Sequence, residues 1–189
     1  MFQIRFHGRG GQGVVTAAEM LSVAAFLEGK HAAAFPSFGS ERMGAPVMSF
    51  CRIDDKEIRL REPVMDPDVL IIQDPTLFKV INVFGGLKPN GYLLVNSHKS
   101  AAELGLTGAV SKLPAGHCRM VPASEIALKY VGRPLPNAAL LGSFAALTGV
   151  VKFDSVAAAI RGAFAGKIGE ANVAAAQASY DAVLGAVEA

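Results

Sequence analysis

Apolar and polar positions alternate over Phe2–Phe6 (FQIRF), the period of a strand with one buried face. Four glycines then fall within six positions: Gly8, Gly10, Gly11 and Gly13. Behind them Gln12–Glu28 is apolar on nearly every side, its polar stripe running through Gln12, Thr16 and Glu19. That pattern predicts a helix covered on most sides, with Gly29 as its C-terminal stop. The run KHAAAFPSF predicts a second strand ending near Pro36, and FGSERMGAP a polar, glycine-punctuated loop. Alternation resumes in Val47–Asp55 and Glu57–Pro63, joined through Asp54-Asp55-Lys56, which predicts a hairpin and some antiparallel pairing. Asp68–Asp74, Gly91–Ser97 and His117–Ala123 are short apolar runs of the buried parallel type. Thr76–Phe84 predicts a helix, and Ser124 is placed to cap another. From Asn137 onward the chain reads as helices alone, with Asp154 as a cap for the second of them.

The expected fold is therefore α/β: three layers, α/β/α, around a mostly parallel (mixed) sheet, with a helical C-terminal end. One domain is expected over residues 1–189, its α/β core about 1–135 and its helical part about 136–189.

Composition adds exclusions. With 51% hydrophobic and 18% charged residues the chain can bury a sizeable core, so disorder is excluded. A net charge of +2 without any long single-sign block gives no nucleic-acid footprint. Cys51 and Cys118 are isolated, so neither an iron–sulfur cluster nor structural zinc is expected within this chain. No apolar run reaches membrane-spanning length, and MFQIRF reads as a strand, not a signal peptide; the cytoplasm is the expected compartment. His7, His31, His98 and His117 show no metal-ligand spacing, and Cys51 reads as a small buried hydrophobe.

Gly8-Arg9-Gly10-Gly11-Gln12-Gly13 satisfies G-x-G-x-x-G between a strand and a helix, the context that motif requires. Glycine permits close backbone approach there, and the helix start offers free N–H groups to a diphosphate. A nicotinamide dinucleotide also asks for an acid closing the second strand. Ala32-Ala33-Ala34-Phe35-Pro36 ends without one, and Glu41 lies in the following loop, so a bound dinucleotide is disfavoured. Anion binding and a tight β–α crossing that only packs the helix both remain open. In the loop, Phe35-Pro36 and Phe38 border Ser40-Glu41-Arg42, which reads either as a contact surface or as aromatic anchors beside solvated charges.

The segments GRGGQGVVTAAEMLSVAAF, AFPSFGSERMGAPV, RIDDKEIR, DVLIIQDPTLF and LPNAALLGSFAALTG together resemble the gamma subunit family of 2-oxoacid:acceptor oxidoreductases, of the pyruvate:ferredoxin (pyruvate synthase) type, in order from about Phe2 to Tyr180. The pattern departs at Met43, where the resemblance leads one to expect a second basic residue after Arg42. The resemblance implies a complex of alpha, beta, gamma and delta subunits that cleaves pyruvate with thiamine diphosphate, passes electrons through iron–sulfur clusters to ferredoxin, and makes acetyl-CoA. Those cofactors would reside in partner subunits; none is expected on this chain alone, nor any catalytic residue. The corresponding domain is associated with coenzyme A access, which makes Arg9 and Arg42 the candidate phosphate contacts and Gly10, Gly11, Gln12 and Gly13 the backbone cradle, with Gly8 and Glu41 counted among the cofactor-binding residues. Asn137 is a polar assistant or merely a helix cap. The alternative is a purely structural assembly subunit of a 2-oxoglutarate or indolepyruvate oxidoreductase; a stand-alone nucleotide-binding enzyme is a third reading. Small-residue helices suit a dimer of the assembly.

Overall fold

The computed structural model of the chain describes residues 1–37 and 42–186. Six strands form one sheet in the order β2-β3-β1-β4-β5-β6. They are β1 (Phe2–Arg9), β2 (His31–Pro36), β3 (Pro46–Asp54), β4 (Val69–Ile72), β5 (Tyr92–Asn96) and β6 (Cys118–Val121). β1, β4, β5 and β6 pair in parallel, while β3 pairs antiparallel with both β1 and β2. Five strands thus run one way and β3 alone opposes them. The mixed sheet with helices agrees with the expected α/β class.

The hairpin between β3 and Glu57–Pro63 does not form, since no strand follows Asp54 before Val69. Both edges of β3 are already occupied: Ile53 lies opposite Phe2 on one side and Ala32 on the other. With no free edge, the chain after Lys56 crosses the sheet face, burying Ile58 and Val64. Its carbonyls at Glu62 and Pro63 accept from the buried Arg52 guanidinium at 2.7 and 3.3 Å. Antiparallel pairing is present, with partners other than those expected.

Strand alternation sends the two halves of each strand's side chains into separate cores. On one face Ile4, Phe6, Cys51, Ile53, Val69, Ile71 and Leu94 pack under α1 (Val14–Leu27), α3 (Ala123–Val131), α4 (Asn137–Thr148), α5 (Phe153–Ala163) and α6 (Gly166–Gly185). Each fully buried Leu, Ile or Phe there contributes roughly 1.5–3 kcal/mol. α4 is buried from Asn137 to Ala145 and so has no solvent side over that stretch. It can pass close to α6 because Gly142 faces the Ala176 carbonyl, where a Cβ would collide.

The other face is covered more thinly. Leu70, Ile72, Leu93 and Val95 pack against Leu77 and Val83, with α2 (Thr107–Val110) at the side. The helix expected over Thr76–Phe84 is only a 3-10 turn, Pro75–Lys79, opened by Asp74, whose carboxylate accepts from Thr76 N. On the β1 part of this face lies Arg5. Its guanidinium donates to the carbonyls of Val64, Met65, Val83 and Gly85, and its Nε to His7 Nε2 at 3.0 Å.

Two expected caps are replaced. Ser124 lies inside the first turn of α3; its N–H is taken by Asn96 Oδ1 at 3.0 Å, from the neighbouring strand end. Asp154 lies within the first turn of α5, after Lys152 at the N-cap. α1 is also less covered than expected, with Val23, Phe26 and Leu27 about half exposed or more. The sheet, α4 and α5 flank only part of its circumference.

Candidate functional site: the glycine turn and the sheet's carboxyl edge

β1 is an inner strand that ends at Arg9, so the chain must leave the middle of the sheet and reverse into α1 within four residues. Gly11 (φ 92°) and Gly13 (φ 67°) take left-handed conformations to do so. Gly13 is the N-cap of α1 and makes no side-chain cap bond. The first N–H groups of the helix are therefore available to a ligand, at the positive end of the helix dipole. Space matters as much as φ: a Cβ on Gly13 would strike the amide of Asn137, and one on Gly10 the carbonyl of Arg42.

The segment 42–45 lies over the turn like a short extra rung. Gly10 N donates to Ala45 O at 2.9 Å and Gly44 N to Gly10 O at 3.1 Å, with a bridge between Gly10 and Met43. Arg42 is exposed on this loop, and its carbonyl accepts from Ala45 N. Glu41 and Phe38 lie outside the described residues. Phe35 is an anchor: its ring packs on Phe50 with centroids 5.3 Å apart, beneath the Arg52 guanidinium.

Gln12 knits the turn to the neighbouring strand. Its Oε1 accepts from Arg9 N at 2.8 Å, and its Nε2 donates to Asp74 Oδ2 at 2.9 Å. Arg9 reaches sideways too, donating to Thr76 Oγ1 and to the Gly44 carbonyl, with Nε 3.3 Å from Asp74 Oδ2. Burial works against ionisation of Asp74, but hydrogen bonds from Thr76 and Gln12 and the charge of Arg9 together hold its carboxyl below the ordinary range. Arg9 is thus anchored at the rim by an ionised partner. His7 is buried two residues before Arg9 on β1; burial, aided by Arg5, pushes its pKa down to about 3, so it is neutral and packed.

Between Arg9, Gly11, Gly13 and the first turn of α1 lies an open notch of about 150 Å³. Small-molecule pockets are usually roughly 300–1,000 Å³, so the notch suits one anionic group and no whole nucleotide. Asn137 packs behind Gly13: it is buried, with Oδ1 accepting from Ala138 N at 2.9 Å and its amide 3.5 Å from Gly13 O. The structure thus brings Gly8, Arg9, Gly10, Gly11, Gln12, Gly13 and Arg42 together at one edge, with Asn137 joining them from α4.

The missing acid of the nicotinamide pattern has a topological side. β2 does not neighbour β1, because β3 lies between them. The strand end where such an acid belongs is therefore displaced from the turn.

Sequence reading did not find the larger crevice beside the notch. It is about 390 Å³ and opens at the carboxyl ends of β4, β5 and β6, with Lys79, Lys99, His98 and Glu125 on its rim and Asn96 and Ser97 at its floor. Its residues come from three separated segments, which follow β4, β5 and β6, and none is a motif by itself. The available signal was the convergence of strand ends Asp74-Pro75-Thr76, Ser97-His98-Lys99 and Pro122-Ala123-Ser124 on one edge of a parallel sheet. Among the described residues no cluster of His, Cys, Asp and Glu could hold a metal ion, and no helix is long and apolar enough to cross a membrane.

Residues 3–182 match the pyruvate ferredoxin/flavodoxin oxidoreductase family. The chain is 48% identical to the pyruvate/ketoisovalerate oxidoreductases common subunit gamma of Thermococcus kodakarensis, over 96% of both chains. It is 47% identical to pyruvate synthase subunit PorC of Methanocaldococcus jannaschii, over 97% of this chain and 98% of that one. The crystal structure of pyruvate oxidoreductase subunit PORC from Thermotoga maritima superposes with a TM-score of 0.79 at 35% identity, each chain covered to 95%. These likenesses run through the glycine turn, the sheet and the C-terminal helices alike, and they make the chain a member of the pyruvate ferredoxin/flavodoxin oxidoreductase family.

Proposed function

We propose that this chain is the gamma subunit of a cytoplasmic pyruvate:ferredoxin oxidoreductase. That complex converts pyruvate, coenzyme A and oxidised ferredoxin to acetyl-CoA, carbon dioxide and reduced ferredoxin. Support for the subunit role comes from relatives named as gamma or PorC subunits that match over nearly their whole length. Thiamine diphosphate and the clusters belong to the alpha, beta and delta partners, and the isolated chain is inactive. Cys51 and Cys118 sit on β3 and β6, four strand steps apart, or about 19 Å at ordinary sheet spacing. Burial pushes both thiols up, Cys118 to about 11, the reverse of what a cluster thiolate needs. The exposed apolar side of α1, at Val23, Phe26 and Leu27, is a surface for a partner subunit.

Within the complex this chain helps to seat coenzyme A. The observation that carries this is the notch of about 150 Å³ at the uncapped start of α1, rimmed by Arg9 with exposed Arg42 on the overlying loop. A phosphate of the diphosphate accepts from the helix N–H groups there, and Arg42 completes the loop side. In the reconstituted complex, Arg42→Ala raises KM for coenzyme A while assembly and turnover at saturation hold. One observation favours the purely structural reading: Arg9 and Gly10 are already engaged within the chain. If Arg42→Ala and Gly10→Val leave KM unchanged while Gly10→Val impairs assembly, the chain is a scaffold.

A further inference from the structure

We propose that the crevice at the carboxyl ends of β4, β5 and β6 seats the 3′-phosphate end of coenzyme A, with Lys79 and Lys99 as its cations. This rests on the reading that the diphosphate docks at the glycine turn. Coenzyme A carries two separate anionic groups, the 5′-diphosphate and the ribose 3′-phosphate, and its remaining arm is neutral. The protein offers two anion seats along one edge. The notch takes a single phosphate-sized group, whereas the crevice, about 390 Å³, has room for a ring and a phosphate.

The two seats share a wall. Thr76 lines the crevice, and its hydroxyl receives the Arg9 guanidinium from the notch side at 2.9 Å. A ligand passing from one to the other crosses that contact. The charge of the crevice also fits. Among the described residues, no carboxylate lies within 4 Å of the Lys79 or Lys99 ammonium groups. Its one carboxylate, Glu125, is held by His98 Nδ1 at 3.0 Å. A neutral arm gains nothing from two such ammonium groups, whereas a phosphate monoester gains two charge-assisted hydrogen bonds. Leu104 and Pro122 supply apolar surface for the adenine ring. The position is where ligands lie in open α/β sheets, outside the carboxyl ends of parallel strands.

The test compares coenzyme A with 3′-dephospho-coenzyme A in steady-state assays of the assembled oxidoreductase. The double variant Lys79→Ala/Lys99→Ala raises KM for coenzyme A by about tenfold or more, as expected for lost bonds to a charged group. It changes KM for the dephospho form by less than about twofold, and Lys79→Arg/Lys99→Arg keeps most of the preference. Both lysines are exposed, so folding is not at stake. Equal rises for both substrates, or no rise for either, overturn the proposal. Loss of assembly in the double variant also overturns it, and assigns the crevice to an acidic surface of a partner subunit. Arg42→Ala separates the two readings. If it raises both KM values while the lysine variant does nothing, the glycine turn keeps its role and the crevice loses its own; if neither variant responds, both fall.

Discussion

Replacing Gly13 by alanine isolates what the turn needs from its sequence. Two costs arise together. The residue sits at φ 67°, a left-handed conformation that costs a non-glycine residue about 1–2 kcal/mol. The new Cβ also meets the Asn137 amide, which cannot retreat freely: its Oδ1 holds Ala138 N at 2.9 Å, and α4 is buried around it. Displacing a buried hydrogen-bonded group costs on the order of 1–3 kcal/mol. The sum is about 3 kcal/mol, or roughly 6–12 °C in Tm for a chain of this length. Gly29→Ala is the control. Its φ is 78°, yet nothing lies within 4 Å of the added Cβ, so only the backbone term applies, about 1 kcal/mol. Urea and thermal unfolding of Gly13→Ala, Gly29→Ala, Asn137→Ala and the Gly13→Ala/Asn137→Ala pair measure the two terms separately. The pair should cost less than the sum of its singles by about 1 kcal/mol, because removing the amide relieves the collision. Equal costs at Gly13 and Gly29, or strict additivity in the pair, would refute the claim that Asn137 is locked against the turn.

Two further outcomes are expected. His7 titrates near 3 when folded against an ordinary 6.5, so the unfolded chain binds the extra proton between those values, and stability is full above about 6.5 and falls as pH drops through that window. The slope is at most about 1.4 kcal/mol per pH unit, and His7→Gln, which keeps an acceptor for Arg5, should flatten the urea-unfolding profile between pH 4 and 6.5. Gly142→Ala drives a methyl into the Ala176 carbonyl and should separate α4 from α6, lowering stability by about 2–3 kcal/mol in thermal unfolding with the helical content kept.

The parts legible in the sequence were those governed by local period. The strand starts and the helix stop at Gly29 follow from alternation and φ preference, and both appear in the structure close to where they were expected. The errors share a cause, which is that pairing and capping are settled by what lies across the fold. Glu57–Pro63 alternates well enough for a strand, but β3 has no edge to give it. Ser124 is a good capping residue by type, yet Asn96, 28 residues away in the chain, does the work. Of the candidate site, the glycine turn stood out because its residues are contiguous, whereas Arg42, far along the chain from Gly13, was singled out as a phosphate contact only through the family resemblance. Lys79 and Lys99 did not stand out, because their proximity comes from the parallel register of β4, β5 and β6.

The Arg5 guanidinium binds two irregular segments at once, through carbonyls at Val64 and Met65 and at Val83 and Gly85. Neither segment has a regular ladder of its own there, so both depend on the same cation. Releasing one leaves a buried charge half satisfied, which draws the other away with it. Amide exchange should therefore report these two stretches opening together as one plate, leaving the helical side of the sheet closed.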